Sequence, residues 1–207
     1  MVIAIDGPAG AGKSTVARAV AQRLGFTYLD TGAMYRCVGL ATQRSSEPAA
    51  TVARRIEIEV GERVLLDGED VTEAIRAPGV SEAASKVAAD PEVRQALVAK
   101  QQAIVADGDW VAEGRDIGTV VAPDAAVKVF LHADPEERAR RRAAQLNLDP
   151  QDVLAKQRTR DERDSSAGRS TLQAPEDATP VDTTGLTLDE VIDQVVTLAI
   201  EAKEIQA

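Results

Sequence analysis

The chain has 207 residues, which suits one domain or one domain with an insertion and excludes a large multidomain protein. It carries 24 Lys and Arg against 34 Asp and Glu, and its formal net charge of -10 is opposite in sign to that of a bulk-basic nucleic-acid binder. Cys37 is the only cysteine, which excludes an internal disulfide and a CxxC framework. Since no apolar run approaches the roughly 18 residues of a membrane span, we expect a cytoplasmic protein that binds neither nucleic acid nor membrane.

The N-terminal residues carry a phosphate-binding motif. An apolar run at 2–5, typical of a buried parallel strand, leads into a G-x-x-x-x-G-K-S sequence at 7–14. Glycine turns let successive N–H groups face phosphate oxygens, the lysine reaches the β- and γ-phosphates, and the serine hydroxyl binds Mg²⁺. Apolar residues at helical spacing over 14–24 predict a helix behind the loop. The predicted ATP-binding residues are Gly7, Pro8, Ala9, Gly10, Ala11, Gly12, Lys13, Ser14 and Thr15, with Ser14 as the metal ligand.

The motif leaves open what happens to the γ-phosphate. A guanine-specific switch normally contains Asn-Lys-x-Asp, but Asn147, the only asparagine, is followed by Leu148. An ATPase normally orients water with an acid that follows an apolar strand, and the sequence at 110–113, which ends in Glu113, imitates this arrangement. An enzyme that phosphorylates a small molecule and a nucleotide-driven switch or ATPase therefore both stay open at this point.

The arginines favour a site for two anions. Arg36, Arg94 and Arg115 stand in non-periodic segments, whereas for the run 138–142 a solvated helix face and a functional role are equally open. If the acceptor is a phosphate monoester, its second pKa of about 6 means that the attacking oxygen is already ionised at neutral pH. No general base is then needed, which agrees with a single histidine, His132, whose place after an apolar run predicts a strand end.

An ordered set of segments covers essentially the whole chain and resembles the bacterial cytidylate kinases, which are P-loop nucleoside monophosphate kinases. The most particular segments are LDGEDV at 66–71 and EGRDIGT at 113–119. The others are the phosphate loop, YLDTGAMYR at 28–36, VSEAASKVA at 80–88, PEVR at 91–94 and RDERD at 160–164. The resemblance implies a three-layer α/β/α P-loop kinase with a parallel central sheet, a monophosphate-binding insert and an Arg-rich lid.

The resemblance also implies how these parts divide the chain. The core is expected at 1–36, 95–141 and 158–207, the insert at about 37–94 and the lid at about 142–157. Strand candidates alternate with helical stretches, as a βαβ core requires, at 2–6, 27–29, 110–113, 127–131 and 179–182. The segment 57–66 breaks this alternation with a turn signal at Gly61 and predicts a hairpin. The segment 142–157 is polar and fits a mobile lid, with an ordinary surface helix pair as the alternative.

The activity that the resemblance implies is transfer of the γ-phosphate of ATP to CMP or dCMP, with Mg²⁺ as cofactor, in pyrimidine nucleotide metabolism. A related kinase with UMP or shikimate as acceptor is the nearest alternative, and we expect a monomer. The implied catalytic residues are Lys13, Arg115, Arg160 and Arg163. The implied CMP-binding residues are Thr31, Arg36, Ser85, Arg94, Arg115, Asp116, Arg160 and Asp164.

Individual roles follow from the matched positions. Thr31 and Arg36 would contact the acceptor phosphate, Arg115 would lie between the substrates, and Arg160 and Asp164 would meet the sugar. Ser85, Arg94 and Asp116 would face the base, where a carboxylate accepts from the exocyclic amine of cytosine and a guanidinium donates to O2 and N3. Uracil would present a carbonyl to Asp116 instead, so such a site can reject it strongly.

Two features leave alternatives open. Ala167 stands where the family usually has an arginine, and Thr171 where it has a proline. Either Arg169 replaces the missing charge, or the cytosine and lid contact is looser or the activity reduced. Asp6 and Asp30 each end a strand, and each either supports Mg²⁺ through water or fixes a loop by hydrogen bonds. Cys37 is expected in the core, and an apolar stripe over 188–198 predicts a core-packing helix.

Overall fold

A computed structural model describes residues 1–165 and 172–206. The strands are β1 Val2–Asp6, β2 Thr27–Asp30, β3 Ile58–Val60, β4 Val64–Leu66, β5 Glu69–Asp70, β6 Trp110–Gly114, β7 Val127–His132 and β8 Thr179–Asp182. The helices are α1 Lys13–Leu24, α2 Thr31–Gln43, α3 Ala49–Arg55, α4 Pro78–Val87, α5 Pro91–Val105, α6 Pro135–Leu146, α7 Pro150–Ser165 and α8 Leu188–Gln206. Short 3-10 and π-helical segments lie at Ala74–Arg76 and Ile117–Val121.

The central sheet has five strands in the order β2-β6-β1-β7-β8. β1 pairs in parallel with both β6 and β7, and Asp6 at its carboxyl end lies opposite Gly114 and Phe130. The predicted core strands are all present to within one residue, and His132 ends β7 as expected. In such a sheet the ligand sites lie beyond the carboxyl ends of the strands, where the phosphate loop and the loop after β6 both begin.

The chain divides into two compact units, the first formed by 1–28 with 109–207 and the second by 29–108. In the first unit, α1 and α8 pack on the sheet and on each other. Their apolar stripes, among them Val16, Val20, Val195 and Ala199, join the strand residues in one buried cluster. The predicted C-terminal helix is confirmed and continues to Gln206.

The first unit also contains a helical hairpin formed by α6 and α7, which covers the segment expected as a lid. The two helices pack through the small cluster Ala139, Ala143, Val153 and Leu154. The segment is therefore a helix pair, and its role as a lid stays a prediction. No helix within 1–165 or 172–206 is both long and apolar enough to cross a bilayer.

In the second unit, α2 packs against α3, α4 and α5. The predicted hairpin is confirmed, since β3 and β4 are antiparallel with Ile58 opposite Leu66, and β5 adds a third strand. The expected insert at about 37–94 lies inside this unit. Cys37 is fully buried in α2, as predicted, and burial raises the pKa of its thiol to about 12, so the sulfur is an unreactive core atom.

Candidate active site

The phosphate loop connects β1 to α1, and its backbone depends on glycine. Gly7 has φ +147°, and a Cβ there would collide with the carbonyl oxygen of Leu131 on β7. Gly12 is the N-cap of α1 with φ +91°, in the left-handed region that side chains disfavour. The loop therefore turns tightly into the N-terminus of α1, which is an arrangement that attracts phosphate.

Two of the predicted catalytic cations make hydrogen bonds to carbonyl oxygens of this loop. The Lys13 ammonium donates a hydrogen bond to the carbonyl oxygen of Pro8 at 2.9 Å. Arg115, in the loop after β6, donates from Nη1 to the carbonyl oxygen of Gly7 at 3.3 Å. Both charges are thus held at the loop predicted to bind phosphates, and their catalytic roles stay predictions.

A third cation reaches the loop from α6. Arg138 is only 6% exposed, and its Nη1 donates to the carbonyl oxygen of Ala9 at 2.9 Å. The solvated-face interpretation of the run 138–142 is therefore wrong for this residue, although it suits Arg140, which is exposed and paired with Glu137. The sequence gives only a weak signal that Arg138 is buried. The one distinguishing feature is that Arg138 directly precedes Ala139, the first small residue of the buried stripe on α6.

Asp6 fixes the loop that carries Arg115 and Asp116. Its Oδ1 accepts from the N–H of Ile117 at 2.9 Å and its Oδ2 from the N–H of Gly118 at 2.8 Å. Burial raises the pKa of Asp6 to about 6, and the two backbone hydrogen bonds lower it by less. Of the two roles left open for Asp6, the structure supports the fixing of a loop.

Glu113 follows the apolar residues of β6, at the position where an ATPase would have its water-orienting acid. It is 4% exposed, and its carboxylate accepts a hydrogen bond from the Tyr28 hydroxyl at 2.6 Å. Asp116, three residues further along, is also buried, at 7% exposed. The contact with Tyr28 gives Glu113 a structural role in the sheet and weakens its case as a catalytic acid.

The second unit carries the residues predicted to bind the acceptor phosphate. Asp30 caps α2, because its Oδ1 accepts from the N–H of Ala33 at 2.8 Å, and its Oδ2 pairs with Arg36 Nη2 at 2.8 Å. Thr31, the first residue of α2, is buried. Asp30 therefore orients Arg36, and these contacts support the hydrogen-bonding role of the two left open for it. The buried Nε of Arg36 has no hydrogen-bond partner among the described residues.

Ser85 and Arg94, predicted to face the base, also lie in this unit. Ser85 is on α4, and its buried Oγ has no hydrogen-bond partner within the part of the chain that the structure describes. Gly39 of α2 lies against the backbone of α4, since a Cβ there would be 2.8 Å from the Ala84 nitrogen. Arg94 is half-buried in α5, whose N-cap is Asp90. Buried polar atoms without a partner are rare in folded proteins, so those of Arg36 and Ser85 mark where a ligand could supply one.

For the remaining predicted residues, either the side chain or the whole residue is not described. The backbone of α7 is described to Ser165, but the side chains of Arg160, Arg163 and Asp164 are not. Ala167 and Arg169 lie in the undescribed segment 166–171. The expectations for all five stay predictions.

Comparison with known proteins gives the family. The family model described as cytidylate kinase matches residues 3–201. A cytidylate kinase from Caldanaerobacter subterraneus subsp. tengcongensis is 51% identical over 205 residues, covering 93% of this chain and 92% of that protein. A cytidylate kinase from Carboxydothermus hydrogenoformans is 50% identical over 208 residues, covering 93% of this chain and 94% of the other.

Structural likeness extends to other small-molecule kinases. The crystal structure of a shikimate kinase from Bacteroides thetaiotaomicron superposes with a TM-score of 0.52 at 15% identity, covering 99% of this chain and 98% of that one. At such low identity the likeness shows the shared α/β kinase fold alone and does not favour shikimate as acceptor. The fold alone does not distinguish between families of small-molecule kinases. A family match across nearly the whole chain, with relatives that are about 50% identical, does so. The chain belongs to the cytidylate kinase family.

Proposed function

We propose that the chain transfers the γ-phosphate of ATP to CMP or dCMP, giving ADP with CDP or dCDP. The observation that carries the proposal is the cytidylate kinase match across residues 3–201. The phosphate loop supports a nucleoside triphosphate donor, because positive φ values at Gly7 and Gly12 let it turn tightly into α1. Neither a nucleotide-driven switch nor an ATPase is favoured by these matches.

The donor phosphates would be bound by the loop N–H groups and by the N-terminus of α1. Lys13 and Arg115, both bonded to loop carbonyls, would stabilise the negative charge that moves with the transferred phosphoryl group. From α7, Arg160 and Arg163 are proposed to add positive charge on the donor side. Phosphoryl transfer of this kind needs position and electrostatics more than covalent help from the protein.

Magnesium fits the residues at the loop. Ser14 is exposed in the first turn of α1, directly after Lys13, which suits a hydroxyl ligand beside bound phosphates. No group of three or more His, Cys, Asp or Glu side chains is placed to hold a metal within 1–165 and 172–206. This agrees with Mg²⁺ kept mainly by substrate phosphates and water rather than by a protein cage. The ion would neutralise phosphate charge, and Ser14 would hold it at the loop.

The acceptor would be bound through its phosphate and its base. Thr31 and Arg36 are proposed to bind the phosphate. The ion pair with Asp30 fixes the orientation of the Arg36 guanidinium before the acceptor binds. Ser85, Arg94 and Asp116 are proposed for cytosine, and Asp164 with Arg160 for the sugar. Because the second pKa of a phosphate monoester is about 6, the attacking oxygen is ionised at neutral pH and needs no general base. The cytoplasmic location and the monomeric state stay predictions.

An ADP-release assay with ATP, Mg²⁺ and a panel of acceptors tests the proposal. CMP and dCMP should both support rapid ADP formation, whereas UMP, AMP and shikimate should support little. A preference for UMP or shikimate would replace the proposed acceptor with the nearest alternative. ADP formed at the same rate without any acceptor would identify an ATPase and overturn the proposal.

A further inference from the structure

Arg138 joins the phosphate loop to the second helix of the α6–α7 hairpin. Its Nε donates to the carbonyl oxygen of Ala133 at 3.2 Å and its Nη1 to that of Ala9 at 2.9 Å. The same Nη1 is 2.8 Å from Oδ2 of Asp161 on α7. The side chains of Arg138 and Asp161 are 7% and 21% exposed, so this ion pair is largely buried.

The contact with Ala9 determines the orientation of one peptide group in the loop. A peptide unit is planar and trans, so its N–H points away from its C=O. Because the Ala9 carbonyl points toward Arg138, the N–H of Gly10 in the same peptide unit points to the opposite side. Inward N–H groups bind phosphate in such loops, and Arg138 therefore acts on the donor site through the backbone.

The hairpin and the loop are in close contact at this point. A Cβ on Gly10 would lie 2.8 Å from Nε2 of Gln157 and 3.1 Å from Cβ of Arg138. Gln157, one helical turn before Asp161, donates from Nε2 to the Arg138 carbonyl oxygen at 3.4 Å. A shift of α6 or α7 would consequently move side chains into the loop.

A buried ion pair is weak support for stability, since apolar residues of similar size often stabilise a protein as well or better. What such a pair supplies is fixed geometry. Asp161 lies in the chain between Arg160 and Arg163, the two proposed donor-side arginines, so the turn of α7 that carries them is anchored through Arg138 to the loop.

We propose that Arg138 is a positioning residue for the donor nucleotide. It orients the peptide between Ala9 and Gly10 and, through Asp161, fixes α7 relative to the phosphate loop. The inference rests on the proposed function, because the donor phosphates are what the oriented loop would bind.

The test compares Asp161→Asn with Glu136→Gln. Asp161→Asn keeps the shape of the side chain but removes its charge, and it should raise both the KM for ATP and the dissociation constant of ADP about tenfold, because small displacements at such sites are costly. The KM for CMP should rise less, because only the proposed sugar contacts of Arg160 and Asp164, on the same turn of α7, would be loosened. Glu136→Gln removes an exposed pair between the same two helices, with Arg158 at 3.3 Å, and should leave every constant unchanged. Asp161→Glu should recover part of the loss.

Arg138→Met supplies the second arm. In that background Asp161→Asn should add less than a twofold further change, since the partner is already gone and the effects of coupled residues are not additive. Equal increases in the KM for ATP and for CMP, an unchanged dissociation constant of ADP, or additive effects would each overturn the inference. If Arg138→Met does not fold, the comparison of Asn and Glu at position 161 decides alone. Binding of ADP needs no acceptor, so it separates failure of this inference from failure of the proposed function.

Discussion

The Asp6 carboxylate at the end of β1 accepts the N–H of Gly118 at 2.8 Å, although the two residues are 112 positions apart in the chain. Its other oxygen accepts the N–H of the neighbouring Ile117. Arg115 and Asp116 immediately precede this bonded pair, so a single buried carboxylate sets the course of the loop that presents a proposed catalytic cation and a proposed base-recognition residue.

Replacement of Asp6 by Asn should therefore impair catalysis without direct contact with substrate. Asn has one acceptor oxygen, so one of the two N–H groups would face an NH₂ group and the loop would shift. We expect kcat/KM for CMP to fall by about 10- to 100-fold, the cost of a displacement of about 1 Å at a reacting site. Asp193→Asn, on an exposed carboxylate paired with Arg23, is the control and should be silent. Wild-type kinetics for Asp6→Asn would show that the loop keeps its course without the carboxylate.

Asp6 should also make the free energy of unfolding depend on pH. Burial raises the pKa of Asp6 from 3.8 to about 6, so between these values the folded chain binds more protons than the unfolded chain. The free energy of unfolding should accordingly fall as pH rises from 4 to 7, by about 2 kcal/mol from this group. In Asp6→Asn this contribution is absent.

Urea unfolding of both proteins at pH 4, 5, 6 and 7 measures the effect, because the other titrating groups cancel in the difference between them. The wild-type protein should lose stability relative to Asp6→Asn as pH rises through 6, with the loss levelling off near pH 7. A difference that does not change with pH would mean that Asp6 titrates alike in the folded and unfolded states.

Asp6 and Asp30 show which parts of the site can be predicted from sequence. The Asp30 hydrogen bond reaches Ala33, three residues away, which is the local N-cap pattern that a sequence displays. The partners of Asp6 lie more than a hundred residues away, so no local pattern reveals them. The core strands and the hairpin were predicted almost to the residue because apolar runs and turn residues are local signals as well.

Arg138 shows the other limit of sequence analysis. In a run of charges on a helix, a solvated arginine and one that faces a loop have the same neighbours in sequence. The distinction arises only when α6 packs beside the phosphate loop and the Ala9 carbonyl becomes the partner. The family resemblance, by contrast, rests on motif order and needs no knowledge of such contacts.

Lys13→Ala should abolish most of the activity and leave the fold intact. The side chain is half-buried and its hydrogen bond to Pro8 stays within the loop, so its loss removes charge stabilisation rather than core packing. We expect kcat to fall by about 10²- to 10³-fold, as for loss of one strong transition-state contact. Lys86→Ala, on an exposed lysine of α4, is the matched control. Steady-state turnover with CMP and thermal unfolding measure the two effects, and unchanged turnover would remove Lys13 from the mechanism.

Asp116→Asn should change which base the enzyme accepts. Asn can donate a hydrogen bond to the carbonyl of uracil, whereas a buried carboxylate can only accept and repels that oxygen. The ratio of kcat/KM for CMP to that for UMP should fall by about 10-fold or more, since each well-placed polar contact is worth about 1–3 kcal/mol of discrimination. Parallel rate measurements with both nucleotides suffice. An unchanged ratio, whatever the absolute rates, would remove Asp116 from base recognition.

Gly39→Ala tests whether the close approach of α2 and α4 positions Ser85. The added methyl group would lie 2.8 Å from the backbone nitrogen of Ala84, so the helices must separate, and Ser85 is the next residue on α4. Helix propensity favours Ala over Gly by about 1 kcal/mol, but overpacking costs about 1–3 kcal/mol, so we expect a net loss of stability together with a higher KM for CMP. Gly79→Ala is the control because it makes the same change in α4 with open space around it, and it should be neutral or stabilising. If the two variants have equal stability and equal KM for CMP, the contact at Gly39 does not set the place of Ser85.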